Sequence, residues 1–79
     1  MLYELNSGEQ VVGAKQAKRA LTSGRARKLF LADDADPRVT EPLAELAREQ
    51  SVPVVEVRSM KELGAACGIS VGSAVAVLL

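Results

Sequence analysis

Residues 74–79, Ala74-Val75-Ala76-Val77-Leu78-Leu79, are apolar at every position. Strand side chains alternate between faces, so a strand with no polar position asks for cover on both sides of its sheet. Two further stretches read the same way. Leu29-Phe30-Leu31-Ala32 is continuously apolar, and Pro53-Val54-Val55-Glu56-Val57 is rich in β-branched residues. Segments of helical period separate these runs. The expected fold is α/β: a three-layer α/β/α sandwich whose small mixed sheet is covered by helices on both faces.

Ser7, followed three residues on by Gln10, predicts a capping box. The first helix is then expected to run to about Thr22 and to stop at Ser23-Gly24. Asp36-Pro37 predicts a second start, with a capping acid and proline at the first helical position. Pro42 complicates that helix, because an interior proline removes a backbone hydrogen bond. A short turn after Pro37 and a restart at Thr40 are expected. Val39, Leu43, Leu46 and Ala47 form its apolar stripe, with Glu41, Glu45 and Glu49 toward water. Ser59 and Glu62 predict another capping box, with Met60, Leu63 and Cys67 on one face and Gly68 at the end.

At 79 residues the chain has room for one domain, spanning 1–79. Its 48% hydrophobic content is too rich for a disordered chain. MLYELNSGEQ does not read as a signal peptide, and no apolar run is long enough to span a membrane. Cys67 stands alone, which excludes an internal disulfide and fits a cytoplasmic setting. With no histidine, ordinary zinc sites and imidazole-based triads are excluded. No catalytic residue, metal or cofactor is expected. Tyr3 and Phe30 are the whole aromatic set, too few for the stacking platforms of single-strand RNA binders.

Net charge is zero, yet its distribution is uneven. Between Val11 and Ala32 stand six basic residues (Lys15, Lys18, Arg19, Arg25, Arg27, Lys28) and no acidic one. A local basic field binds phosphate even when the total is neutral. The plainer account, a solvated helix surface, does not explain why acids are missing from the whole run.

Three segments could carry chemistry. In Gly13-Ala14-Lys15-Gln16-Ala17-Lys18-Arg19, Lys15, Gln16 and Arg19 share an arc of about 100° on a helix. Ala14, Ala17 and Leu21 fall on a separate apolar arc, and Gly13 permits close approach of another backbone. Such a face joins cations for phosphate to an amide for a base edge. In the second segment, Leu63 to Ala74, a helix ends at glycine and Ile69 and Val71 fall in a loop. Exposed apolar residues there mark an interaction surface. Cys67 reads as a small buried residue. The third segment is Asp33-Asp34-Ala35-Asp36-Pro37. Its carboxylates suit helix capping better than metal binding or acid–base work.

Taken together, GAKQAKRAL, LFLADDADP and VPVVEVRSMKELGAACGISVGSAVAV resemble the ribosomal protein L-seven-Ae family almost from end to end, most of all its short bacterial members of the YbxF type. The resemblance implies an α/β/α sandwich that binds kink-turns, sharply bent RNA helices with tandem sheared G·A pairs and an extruded nucleotide. It implies that Gly13 meets the RNA backbone and that Lys15 and Gln16 reach the G·A pairs. Arg19 would lie near guanine and phosphate, and Ile69, Val71 and Ala74 would line the loop that packs on extruded bases. Many archaeal and eukaryotic members carry Asn-Glu where this chain has Lys15-Gln16, a pair similar to the bacterial branch and to the related L-thirty-e proteins. Val71 stands where some eukaryotic members have arginine.

The expectation is a monomeric protein that recognises kink-turns in structured RNA, ribosomal RNA or a riboswitch, with no membrane partner. The alternative is a protein-interaction subunit that uses the apolar loop around Ile69 and Val71.

Overall fold

A computed structural model describes residues 9–79. The elements, in chain order, are β1 (Gln10–Val12), α1 (Ala14–Thr22), β2 (Lys28–Ala32), α2 (Pro37–Glu49), β3 (Val54–Val57), α3 (Met60–Ala66) and β4 (Val75–Leu78). The strands form one sheet in the order β1-β4-β2-β3. β4 is antiparallel to both β1 and β2, whereas β2 and β3 are parallel, so the sheet is mixed. Phe30 pairs with Ala76 on one side and Val55 on the other.

Alternation along β2 and β4 divides the core as the apolar runs predict. Leu29, Leu31, Val75 and Val77 pack with Ala17, Ala20 and Leu21 of α1 and with Leu43 and Ala47 of α2. Phe30, Ala32, Ala76 and Leu78 pack on the opposite face with Leu63 of α3 and with Cys67. Among the described residues, two helices therefore cover one face and one helix covers the other, which makes a three-layer α/β/α sandwich. At the edge, β3 turns Glu56 to solvent and buries only Val57 fully.

Sheet direction places the loops. Because β1, β2 and β3 run the same way and each leads into a helix, the N-termini of α1, α2 and α3 gather at one edge of the sheet. The 69–74 loop reaches that same edge before β4 begins. Carboxyl ends of strands and amino ends of helices meet there, the usual position for ligands in sheets of this kind.

Two expectations are corrected. Gln10–Val12, placed at the start of a helix by the capping-box pattern, is a strand paired with Ala76–Leu78. Ser7, the other half of that pattern, lies outside the described residues. Val11 and Val12 favour an extended chain, and pairing with β4 gives their backbone groups partners. The helix starts only after Gly13, whose φ of 103° ends the strand. The second correction concerns Pro42, which lies inside one continuous helix from Pro37 to Glu49 rather than in a restarted first turn. It forgoes one hydrogen bond to the Arg38 carbonyl, and the burial of Leu43 and Ala47 holds the helix across that gap.

Other local signals correspond to observed contacts. Asp36 caps α2, its carboxylate accepting from Arg38 N at 2.9 Å, and Ser59 Oγ caps α3 by accepting from Glu62 N at 3.1 Å. Leu43 and Ala47 are buried while Glu41, Glu45 and Glu49 are exposed. No helix among the described residues is long and apolar enough to cross a membrane.

Candidate nucleic-acid interface

The site begins with an unusual helix start. Asp36 and Ser59 cap α2 and α3, but Gly13 brings no side chain to α1, whose first turn contains no acid. Gly13 N donates to Val75 O at 3.1 Å, fastening the helix start to the beginning of β4. The N–H groups of Ala14, Lys15 and Gln16 have no acceptor among the described residues. An uncapped helix N-terminus carries partial positive charge and unmade hydrogen bonds, both suited to an anion. Among the described residues a Cβ on Gly13 would meet nothing within 4 Å, so its positive φ is what asks for glycine there.

Lys15, Gln16 and Arg19 all lie on the exposed side of α1. Lys15, Lys18 and Arg19 form no salt bridge among the described residues. Ala17, Ala20 and Leu21 face the core. Ala14, expected on that buried arc, is exposed instead. It stands in the first turn, near the sheet's rim, and lines an open groove between α1 and α2.

The second part of the site is the 69–74 loop. Val71 is 69% exposed and Ile69 37%, whereas Ser73 is buried and Ala74 half-buried. The loop's shape is held from within the fold. Gly68, at φ 79°, lets Ile69 N donate back to Gly64 O at 3.1 Å while Gly68 N donates to Ala65 O at 3.0 Å. This closes α3 with a left-handed glycine cap. Ser73 N then donates to Met60 O at 3.0 Å, its hydroxyl donates to Val75 O at 2.6 Å, and Ala32 N donates to Ala74 O at 2.9 Å. Val75 receives Gly13 N as well, so the loop and the start of α1 meet at one residue.

Three residues support this arrangement through contacts that the sequence does not assign to them. Gly64 lies in α3 where a Cβ would collide with the Val71 carbonyl, and Gly72 lies against Met60. A glycine inside a helix was the available signal for the first. Asp34 Oδ1 accepts from Met60 N at 2.7 Å and so completes the start of α3 from another loop. Nothing local in the sequence announces a bond spanning 26 residues.

In the acidic segment, Asp34 and Asp36 accept hydrogen bonds at helix starts. Asp36 accepts from both Arg38 N and the Arg38 guanidinium, whose Nη2 lies 2.7 Å from Oδ2. That pairing holds the Asp36 carboxyl below its ordinary pKa. Among the described residues, no group of three or more His, Cys, Asp or Glu side chains could hold a metal ion. Burial raises the pKa of the Cys67 thiol, which disfavours the thiolate.

Comparison with known proteins adds a family to this geometry. The model of the ribosomal protein L7Ae/L30e/S12e/Gadd45 family matches residues 4–79. The RNA-binding protein YbxF of Geobacillus stearothermophilus is 46% identical over 81 residues, covering 100% of this chain and 99% of that protein. The large ribosomal subunit protein eL8 of Halobacterium salinarum is 36% identical over 75 residues, covering 94% of this chain and 62% of that one. Among solved structures, the Giardia lamblia 15.5kD RNA binding protein superposes with a TM-score of 0.91 at 30% identity, covering 98% of this chain and 68% of that chain.

Proposed function

The chain belongs to the ribosomal protein L7Ae/L30e/S12e/Gadd45 family, and from that premise we propose that it binds structured RNA by recognising kink-turns. The observation that carries this reading is the meeting, at Val75, of an uncapped basic helix start and an apolar loop. A kink-turn offers matching chemistry: closely spaced phosphates beside exposed base edges and an extruded base. In this reading Gly13 lets the RNA backbone approach the free N–H groups. Lys15 and Gln16 reach the G·A pairs, Arg19 takes guanine or phosphate, and Ile69, Val71 and Ala74 pack against extruded bases.

The mechanism is selection of a bent RNA. An extended RNA is costly to kink, and a protein that binds only the kinked form shifts the population by its differential affinity. Neither a cofactor nor a second copy of the chain is needed. A relative in the large ribosomal subunit makes ribosomal RNA the first target class to test, with a riboswitch as the regulatory alternative.

Variants test the assigned roles. Lys15→Ala and Arg19→Ala should each weaken binding and flatten its salt dependence, because fewer counterions are released. Gln16→Ala should instead cost discrimination between G·A and Watson–Crick pairs, by about 1–3 kcal/mol if its base contacts are bidentate. Unchanged affinity and selectivity in all three would remove the assignment. The exposure of Val71 supports a second reading, a protein partner docked on the loop. In that case Val71→Ser would abolish partner binding and leave RNA affinity unchanged.

A further inference from the structure

The base-reading side of α1 leaves one basic surface unused. Between α1 and α2 lies an open groove of about 320 Å³, lined by Ala14, Val39, Pro42 and Leu43, with Lys15, Lys18 and Arg38 among its walls. Resting on the reading of α1 as an RNA-facing helix, we propose that this groove takes the sugar–phosphate strand of the RNA helix flanking the kink. Lys18 and Arg38 meet its phosphates, and the carbon faces of its riboses rest on Pro42 and Val39.

Three observations favour a nucleic-acid strand. The first is direction. Lys18 lies about 60° from Lys15 around α1, on the side away from Gln16. The cations therefore pass over the crest of the helix from the base-reading side to the α2 side. A second depression, of about 480 Å³, borders the same crest and shares Lys15 and Lys18 with the groove, adding Arg19. The two form a continuous basic track.

The second observation is charge. Among the described residues, no carboxylate lines either depression. A polyanion whose charges repeat along a strand matches this better than a partner with one isolated anion.

The third is the state of Arg38. Its Nε and Nη2 hold the Asp36 carboxylate, although its side chain is 90% exposed. Nη1 has no partner among the described residues. The guanidinium is thus oriented beforehand by one anion while its free nitrogen still has donors for another. The apolar walls fit the carbon faces of ribose that separate successive phosphates.

The test compares one kink-turn RNA carrying full-length flanking stems with the same RNA trimmed to its core. The wild-type protein should bind the long form at least tenfold more tightly. Lys18→Gln and Arg38→Gln should each lose most of that gain and change affinity for the trimmed form less than twofold. Their salt dependence should flatten only on the long form, by about one in the log–log slope for each phosphate no longer neutralised. Equal losses on both RNAs would place these side chains against the core of the kink and overturn the proposal. No loss on either would overturn it and leave the groove to a protein partner. If the wild type failed to bind even the trimmed RNA, the kink-turn reading would fall, and the groove assignment with it. Wild-type binding to the trimmed RNA with no gain from the stems would sink the groove assignment alone.

Discussion

The carbonyl oxygen of Val71 occupies the space that a Cβ on Gly64 would need. Helix α3 and the 69–74 loop are therefore in direct backbone contact, and the exposed Val71 side chain is aimed by that contact. Gly64→Ala should push the loop outward. Overpacking of this kind costs about 1–3 kcal/mol, which in a domain this size lowers Tm by roughly 4–8 °C per kcal/mol. RNA affinity should fall further than a control variant of equal Tm would explain. A Gly64→Ala protein with native Tm and native affinity would contradict the contact.

Asp34 fixes the other end of the same helix. Its Oδ1 accepts from Met60 N at 2.7 Å, and Met60 O in turn accepts from Ser73 N at 3.0 Å. Losing the acceptor strands a helix N-terminal N–H, at about 0.5–2 kcal/mol. Asp34→Ala should destabilise by that much and slow loop-dependent RNA association. Asp34→Asn, which keeps an acceptor oxygen, should recover most of the loss. Urea denaturation reads this directly, and equal losses in the two variants would mean that the bond is not what matters.

The turn after helix α2 contains Ser51, whose φ of 58° is the one left-handed non-glycine conformation among the described residues. Gly24 and Gly68 fill the equivalent positions after α1 and α3. An L side chain held in that region costs on the order of 1–2 kcal/mol, partly offset by the freedom glycine regains on unfolding. Ser51→Gly should stabilise the protein by about 0.5–1 kcal/mol and raise Tm by a few degrees, measured by thermal melting. A lower Tm would show that the hydroxyl has a stabilising contact.

Where local pattern and tertiary demand agreed, the fold was legible in the sequence. The strands around Phe30, Val55 and Ala76 needed only their apolar character, and Asp36 and Ser59 announced two helix starts. Two features turned on distant partners. Gln10–Val12 is a strand because β4 lies beside it, and the Ser7–Gln10 spacing carries no information about β4. Pro42 stays helical because Leu43 and Ala47 are buried against the sheet, a gain that outweighs its missing hydrogen bond. Of the candidate site, Lys15, Gln16 and Arg19 could be grouped by helical geometry alone. The supports at Gly64 and Asp34, and the groove that joins Lys18 to Arg38, depend on elements far apart in the chain.

Cys67 gives a probe of local opening. Burial raises its pKa, so the folded thiol holds its proton where the unfolded one ionises. The sign follows from linkage: its contribution to stability is complete below the unfolded thiol's pKa and is lost as pH rises from there through the higher folded value. Stability should therefore decline on the alkaline side, and a Cys67→Ala variant should lose part of that decline. Iodoacetamide at mildly alkaline pH should label the native protein far more slowly than the urea-unfolded chain. Equal labelling rates would contradict burial of the thiol.

The central claim is recognition of a kinked RNA by the start of α1 and the 69–74 loop. A titration of the purified protein against a standard kink-turn RNA tests it most directly, beside a duplex whose G·A pairs are changed to Watson–Crick pairs. Tight binding to the kink-turn and weak binding to the duplex is the predicted result. Equal binding to both would reduce the face to a nonspecific basic patch, and no binding to either at moderate salt would contradict the account.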